Sequence, residues 1–215
     1  MKKIFFTALI VLLSDQILKI WVKSNMLLWE KIEILNSDKF TLLFIENNGA
    51  AFGFLGESGE LGKVALTVFR IIIVTMGVFY IKSIHSKISK GALISLGLII
   101  GGAVGNIIDS SFYGLIFNES GSILNSGEAA KIFSDVGYAP LFQGKVVDMF
   151  SFQVFTIELP NWLAIPIPFS GTTILSVLEG GDNKFTFFQP IFNIADASIT
   201  IGVFILLVFY RKEFR

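Results

Sequence analysis

The sequence predicts a membrane protein: a four-transmembrane-helix bundle with a small β-sheet platform on its outer, periplasmic face. Three observations predict it: an apolar composition, four apolar runs of bilayer length, and a charge sign that alternates between the connecting segments. Of 215 residues, 53% are hydrophobic and 16% charged, with a mean hydropathy of +0.72, whereas soluble domains carry roughly 25% charged residues. Seventeen Lys and Arg balance seventeen Asp and Glu, so no basic surplus argues for a nucleic-acid partner. The chain has no Cys and a single His, His85. That removes disulfides, thiol nucleophiles and two-His zinc sites, and no metal or cofactor is expected.

The spans are Ile4–Val22, Val64–Ile81, Ala92–Ile108 and Ile194–Tyr210, each 17 to 19 residues long, which suits a hydrocarbon core crossed at 1.5 Å per residue. The first begins Met1-Lys2-Lys3 like a secretory signal. A second apolar stretch, Ile17-Leu18-Lys19-Ile20-Trp21-Val22, follows Ser14-Asp15-Gln16, so this segment reads as a retained span. Residues 1–3, 82–90 and 211–215 hold eight basic side chains against Glu213 alone, while residues 24–61 and 110–192 hold five basic against thirteen acidic. Basic loops stay cytoplasmic. Both termini are therefore expected inside, and the two long connections outside, together with Trp21, Trp29 and Trp162.

In those outer connections, Phe40–Ile45 and Lys145–Glu158 are aromatic and β-branched, and Thr172–Leu178 and Phe185–Phe188 flank a turn at Glu179–Lys184. This is strand and hairpin patterning. Residues 116–140 are rich in Ser, Gly and Asn, with a short helical pattern near Glu128–Phe133, and read as a surface insertion with little apolar area to bury. The whole chain, 1–215, is expected to form one membrane-embedded domain.

Ionisable groups inside spans are costly and mark function. Asp15 and Lys19 lie one helical turn apart, close enough to pair. Asp109 ends the third span in Gly101-Gly102-Ala103-Val104-Gly105-Asn106-Ile107-Ile108-Asp109, Asp196 opens the fourth in Phe192-Asn193-Ile194-Ala195-Asp196, and Asp148 sits in Val146-Val147-Asp148. Three carboxylates thus converge at one outer mouth, with Asn106 and Asn193 as neutral partners and Gly101, Gly102 and Gly105 allowing close helix approach. Two neighbouring carboxylates share a proton, which is the device of an aspartic hydrolase. The residues alone leave open which two of Asp109, Asp148 and Asp196 form it. Gly56-Glu57-Ser58-Gly59 matches a serine-protease pattern but lies in a polar loop across the membrane from His85. A small proton-coupled carrier is the alternative, and an adaptor with a binding sheet a further one.

These motifs, in this order, resemble the lipoprotein signal peptidase (signal peptidase II) family. The resemblance rests on Asp15-Gln16-x-x-Lys19, Asn47-Asn48-Gly49-Ala50-Ala51-Phe52-Gly53, Gly101-Gly102-Ala103-x-Gly105-Asn106-x-x-Asp109, Val146-Val147-Asp148 and Phe192-Asn193-x-Ala195-Asp196. It implies an aspartyl endopeptidase of the bacterial inner membrane that cuts prolipoproteins before a diacylglyceryl-modified Cys, working as a monomer among membrane lipids. It also implies Asp148 and Asp196 as the catalytic pair, with Asp15, Lys19, Asn47, Gly49, Asn106, Asp109 and Asn193 binding substrate or supporting the site. Two features depart from the family pattern. Ser110 follows Asp109 where the family commonly has Arg, and Ser111–Gly144 lengthens the link to Val146-Val147-Asp148.

The charge count generates a topological prediction. Reporters fused at residue 86 and at the C-terminus should read cytoplasmic, and one within Ser120–Gly127 external; an external C-terminus would invert the arrangement.

Overall fold

The computed structural model describes residues 1–35, 37–48, 59–125, 127–152, 155–158, 184–187 and 190–214. Among the described residues, four helical stretches are long and apolar enough to cross a membrane. The first is α1 (Lys2–Asn25) and the second α2 (Gly59–Ile84). The third, α3 (Lys90–Ile108), runs on through a π turn at Asp109–Tyr113 into the short α4 (Gly114–Ile116), making 27 continuous residues. The fourth is α5 (Ile194–Ile205), extended by a π turn at Leu206–Tyr210 and a 3-10 turn at Arg211–Phe214. The third span thus reaches eight residues beyond the Ile108 boundary expected from sequence. Asp109 does not stop the helix because a buried lysine meets its charge, as described below.

The strands are β1 (Lys31–Ile34), β2 (Ser37–Asn47), β3 (Val146–Phe152), β4 (Phe155–Glu158), β5 (Lys184–Phe187) and β6 (Ile191–Phe192). They form a four-stranded sheet in the order β1-β2-β3-β6 and a separate β4-β5 pair. The sequence expected Thr172–Leu178 across the turn from Phe185–Phe188. That segment lies outside the described residues, and β5 pairs antiparallel with β4, Phe155 opposite Phe187.

By packing, the chain divides into two compact units. The smaller comprises Lys31–Leu43 and Phe150–Ile191. In it β1 and β2 pair antiparallel with a register shift at Glu33/Ile34, and Phe40 stacks on Phe152 at 4.3 Å between ring centroids. The larger comprises Met1–Glu30, Phe44–Met149 and Phe192–Arg215, and it contains all four helical spans.

Within the larger unit α3 is the central helix, with α1 packed along one side and α5 along another. The buried face of α1 reads Ile4, Val11, Asp15, Lys19, Val22 and Lys23, a single stripe at three- and four-residue spacing. Its opposite face shows Phe6, Ile10, Leu13, Ile17 and Trp21. Such a surface would be a liability in water and is natural against lipid. Glycine allows the close approach. A Cβ on Gly105 would stand 2.6 Å from Asp15 Oδ2, and one on Gly102 would collide with the Ala195 carbonyl of α5. At one end of the bundle Ile4, Ile81, Ile88, Ala92 and Leu96 form an apolar cluster, packed by Tyr210 and Phe214. The start of α1, the α2–α3 turn and the end of the fourth span therefore meet there.

The segment 116–140 departs from its sequence reading on two counts. Glu128–Phe133 is not helical; it runs irregularly, and Ile132 bridges antiparallel to Phe117. Nor is the segment a mere surface decoration, because Phe117, Ser120 and Ala130 are buried. Ala130 N donates to Lys23 O at 3.2 Å, and Leu28 N to Gly121 O at 2.8 Å. What holds it is a buried ion-pair cluster. Lys23 Nζ pairs with Glu46 and donates to Ser120 Oγ at 2.8 Å, Lys145 Nζ reaches Glu46 Oε2 at 3.0 Å, and the Lys23 ammonium lies 4.8 Å from the Tyr138 ring centroid. Burial alone would raise the Glu46 pKa, but Lys23 and Lys145 outweigh it and hold the carboxyl below its usual range. A composition rich in Ser and Gly concealed this anchoring because the groups that bury the segment, Lys23 and Glu46, are remote in sequence.

Breaking one partner of a buried pair strands the other charge, at a cost of about 3–5 kcal/mol. Glu46→Ala should therefore lower the melting temperature in detergent markedly. Replacing Asn118–Ala139 by a Gly/Ser linker should do the same, since Lys23 then loses Ser120 and the Tyr138 ring.

Candidate active site

The site grows from one residue of α1. Lys19 is fully buried, and its ammonium lies 2.9 Å from Asp15 Oδ2, 2.7 Å from Asp109 Oδ2 and 2.8 Å from Asn106 Oδ1. The i, i+4 spacing brings Asp15 and Lys19 together, while α3 supplies the other two partners. Each carboxylate then holds something further. Asp15 Oδ1 accepts the Ala195 N–H at 2.9 Å, one of the donors left unpaired at the start of α5. Asp109 accepts Gln16 Nε2 at 2.9 Å and the Val147 N–H of β3 at 3.3 Å. Gln16 is fixed in turn by the Tyr113 hydroxyl at 3.2 Å.

Asp148 and Asp196 are joined through Asn193. This residue caps α5 with its side chain, Oδ1 accepting Asp196 N at 2.9 Å, while its own N–H donates to Asp196 Oδ2 at 3.4 Å in a reciprocal capping box. Its amide nitrogen lies 2.7 Å from Asp148 Oδ1, and Asn47 Nδ2 lies 3.2 Å from the other Asp148 oxygen. Asn106 donates to Asp196 Oδ1 at 2.8 Å while accepting from Lys19. The lysine node and the carboxylate pair thus share one hydrogen-bonded network.

Of the residues singled out from sequence, Asp15, Lys19, Asn106 and Asp109 form the node, and Asn47, Asp148, Asn193 and Asp196 form the pair and its direct partners. Gly49 lies outside the described residues. Asp109 is engaged by Lys19, Gln16 and Val147, whereas Asp148 and Asp196 are both bonded by Asn193. Ser110, buried in the π turn, has its carbonyl bonded by Gly144 N at 2.9 Å. The sequence reading passed over Arg70. It is the one charged residue in the Val64–Ile81 run, and a charge inside a span is itself a functional signal. Arg70 lines a cavity of about 310 Å³ with Asn106, Asp196 and apolar side chains of α2, α3 and α5.

The two carboxylates stand in unlike settings. Asp148 is 4% exposed on an apolar strand and meets neutral amides. Burial, and after it repulsion from Asp196, pushes its carboxyl up to about 7. Asp196 sits in the first turn of α5, where the helix dipole favours an anion.

Fold and site together define a multi-pass membrane protein with a coupled carboxylate pair. Residues 7–211 match the signal peptidase (SPase) II family, and the chain belongs to that family of peptidases. It is 42% identical to the lipoprotein signal peptidase of Porphyromonas gingivalis over 95% of this chain and 82% of that one. It is 32% identical to the lipoprotein signal peptidase of Amoebophilus asiaticus over 98% of this chain and 78% of that one. In fold it is similar to a bacterial membrane enzyme solved by the in meso method at 1.9 Å resolution, with TM-score 0.56 and 22% identity, covering 97% of this chain and 92% of the other. The family match gives no support to the carrier reading.

The raised Asp148 pKa has a consequence for stability. An unfolded aspartate titrates near ~3.9, so the folded state binds this proton more tightly. The resulting contribution to stability is present below that value and is lost as pH rises through about 7. Asp148→Asn, uncharged at every pH, should raise the melting temperature at pH 8 and change it little at pH 4.

Proposed function

We propose that this chain is an aspartic endopeptidase that removes the signal peptide from diacylglyceryl-modified prolipoproteins, cutting before the lipidated Cys at the outer face of the bacterial inner membrane. Asp148 and Asp196 are its catalytic pair, and both termini are cytoplasmic. One observation carries the reading: Asn193 bonds both carboxylates at once, holding them as a unit at the start of a membrane helix. The family membership and the motif order support it.

The chemistry follows from the pair. The ionised carboxylate takes a proton from water as the water oxygen attacks the scissile carbonyl carbon, and the protonated one polarises the carbonyl oxygen. A proton then passes to the amide nitrogen, the C–N bond breaks, and the signal peptide leaves. The cavity between α2 and the α3–α5 pair, lined by Phe69, Ile73, Ala103 and Ile199, offers an apolar approach for a helical signal peptide and its acyl chains. The Asp15–Lys19–Asp109 node fixes α5 and β3, and so the two carboxylates.

The test is incubation of the purified protein with a diacylglyceryl-modified prolipoprotein, read as loss of the signal peptide on a gel. Wild type should cleave. Asp148→Asn and Asp196→Asn should each lose at least about a thousandfold, and the double variant no more than either single one, as for groups acting together. A near-normal rate in either single variant would sink the assignment. Chelators should leave the rate unchanged, and loss of activity that zinc restores would point to a metal centre.

A further inference from the structure

The carboxylate pair must hold one proton and one negative charge, yet most charge around it is negative. Asp196 has Asp148 of β3 across Asn193, and beyond Asn106 it has the node of α1 and α3, where Asp15 and Asp109 outweigh Lys19. From α2 comes Arg70, half-buried, lining the same cavity as Asp196 and attracted to it electrostatically. Asp148 has Asn47 and Asn193 as hydrogen-bond partners, both neutral. Lys19 also acts electrostatically on Asp148, while the cation on the cavity wall, Arg70, stands on the Asp196 side, where the α5 N-terminus also favours an anion.

We propose that Arg70 is a positioning residue for the dyad: its guanidinium, sharing a cavity with Asp196, keeps that carboxylate ionised as the base and leaves the proton on Asp148 as the acid. Arg70 lines that cavity with Phe69, Ile73 and Val74 of the same helix, an apolar setting in which a long basic side chain keeps its head at a polar spot. Without this charge the pair would lose its nearby cation, and the fraction of enzyme with a competent base would fall at the acidic end of the working range. The inference rests on the endopeptidase reading above.

The experiment is the pH profile of kcat/KM on a diacylglyceryl-modified prolipoprotein peptide in detergent. Wild type should give a bell, its ascending limb reporting the base of the pair. Removing a cation near the base favours its protonated form, so Arg70→Gln should move the ascending limb up by about one pH unit, roughly a tenfold loss on the acidic side. Arg70→Lys, which keeps the charge, should hold the limb close to wild type. If Arg70→Gln does not fold, Arg70→Met, which keeps an apolar stem, serves the same comparison. An unmoved limb in the neutral variants would overturn the inference, as would an equal shift in Arg70→Lys. A rise in KM alone would make Arg70 a substrate contact and overturn it too. A wild-type protein that cleaves nothing would defeat the endopeptidase reading itself, whereas an active wild type with an unmoved Arg70→Gln limb defeats the dyad assignment alone.

Discussion

The ammonium of Lys19 is the constraint on which the site depends. Burying an unpaired lysine costs at least several kcal/mol even after relaxation, so this one is tolerable only because Asp15, Asp109 and Asn106 reach it within 2.9 Å. Those partners also hold the surrounding elements. Asp15 fixes the first turn of α5 through Ala195 N, and Asp109 fixes β3 through Val147 N. Asp148 and Asp196 are carried one residue beyond those two bonds. Their placement is tied to the node through those bonds.

A second buried lysine performs a different task. Lys23, one turn after Lys19 on the same stripe of α1, joins Glu46, Ser120, Lys145 and Tyr138. Glu46 immediately precedes Asn47, which bonds Asp148. The residue of β2 that touches the carboxylate pair is therefore next to an ionic anchor, and the inserted segment completes that anchor. An insertion in sequence has become part of the support in space.

The two aspartates stand in unlike settings. Asp148 lies on a buried strand among neutral amides, while Asp196 lies in the first turn of a helix, on the wall of a cavity that Arg70 also lines. A pair in identical surroundings would share the proton without distinction. Here the asymmetry comes from secondary structure as much as from neighbouring charge.

The sequence by itself determined the membrane class, the four spans and the Asp15–Lys19 pair, because apolar run length and i, i+4 spacing are local properties that need no knowledge of the fold. Ordered motifs also brought Asp148, Asp196, Asn106 and Asn193 forward as a group. What only the tertiary structure decided concerns partners distant along the chain. That Asp109 joins Lys19 while Asp148 and Asp196 share Asn193 is one such case. The anchoring of 116–140 turns on Lys23 and Glu46, and the helix beyond Ile108 continues because Asp109 is neutralised there. Ser110 marked a missing charge in the third motif, but nothing local to it could show that Arg70 of α2 lines the same cavity as Asp196. Electrostatic pairing inside a low-dielectric bundle acts through space, and only folding brings those charges within range.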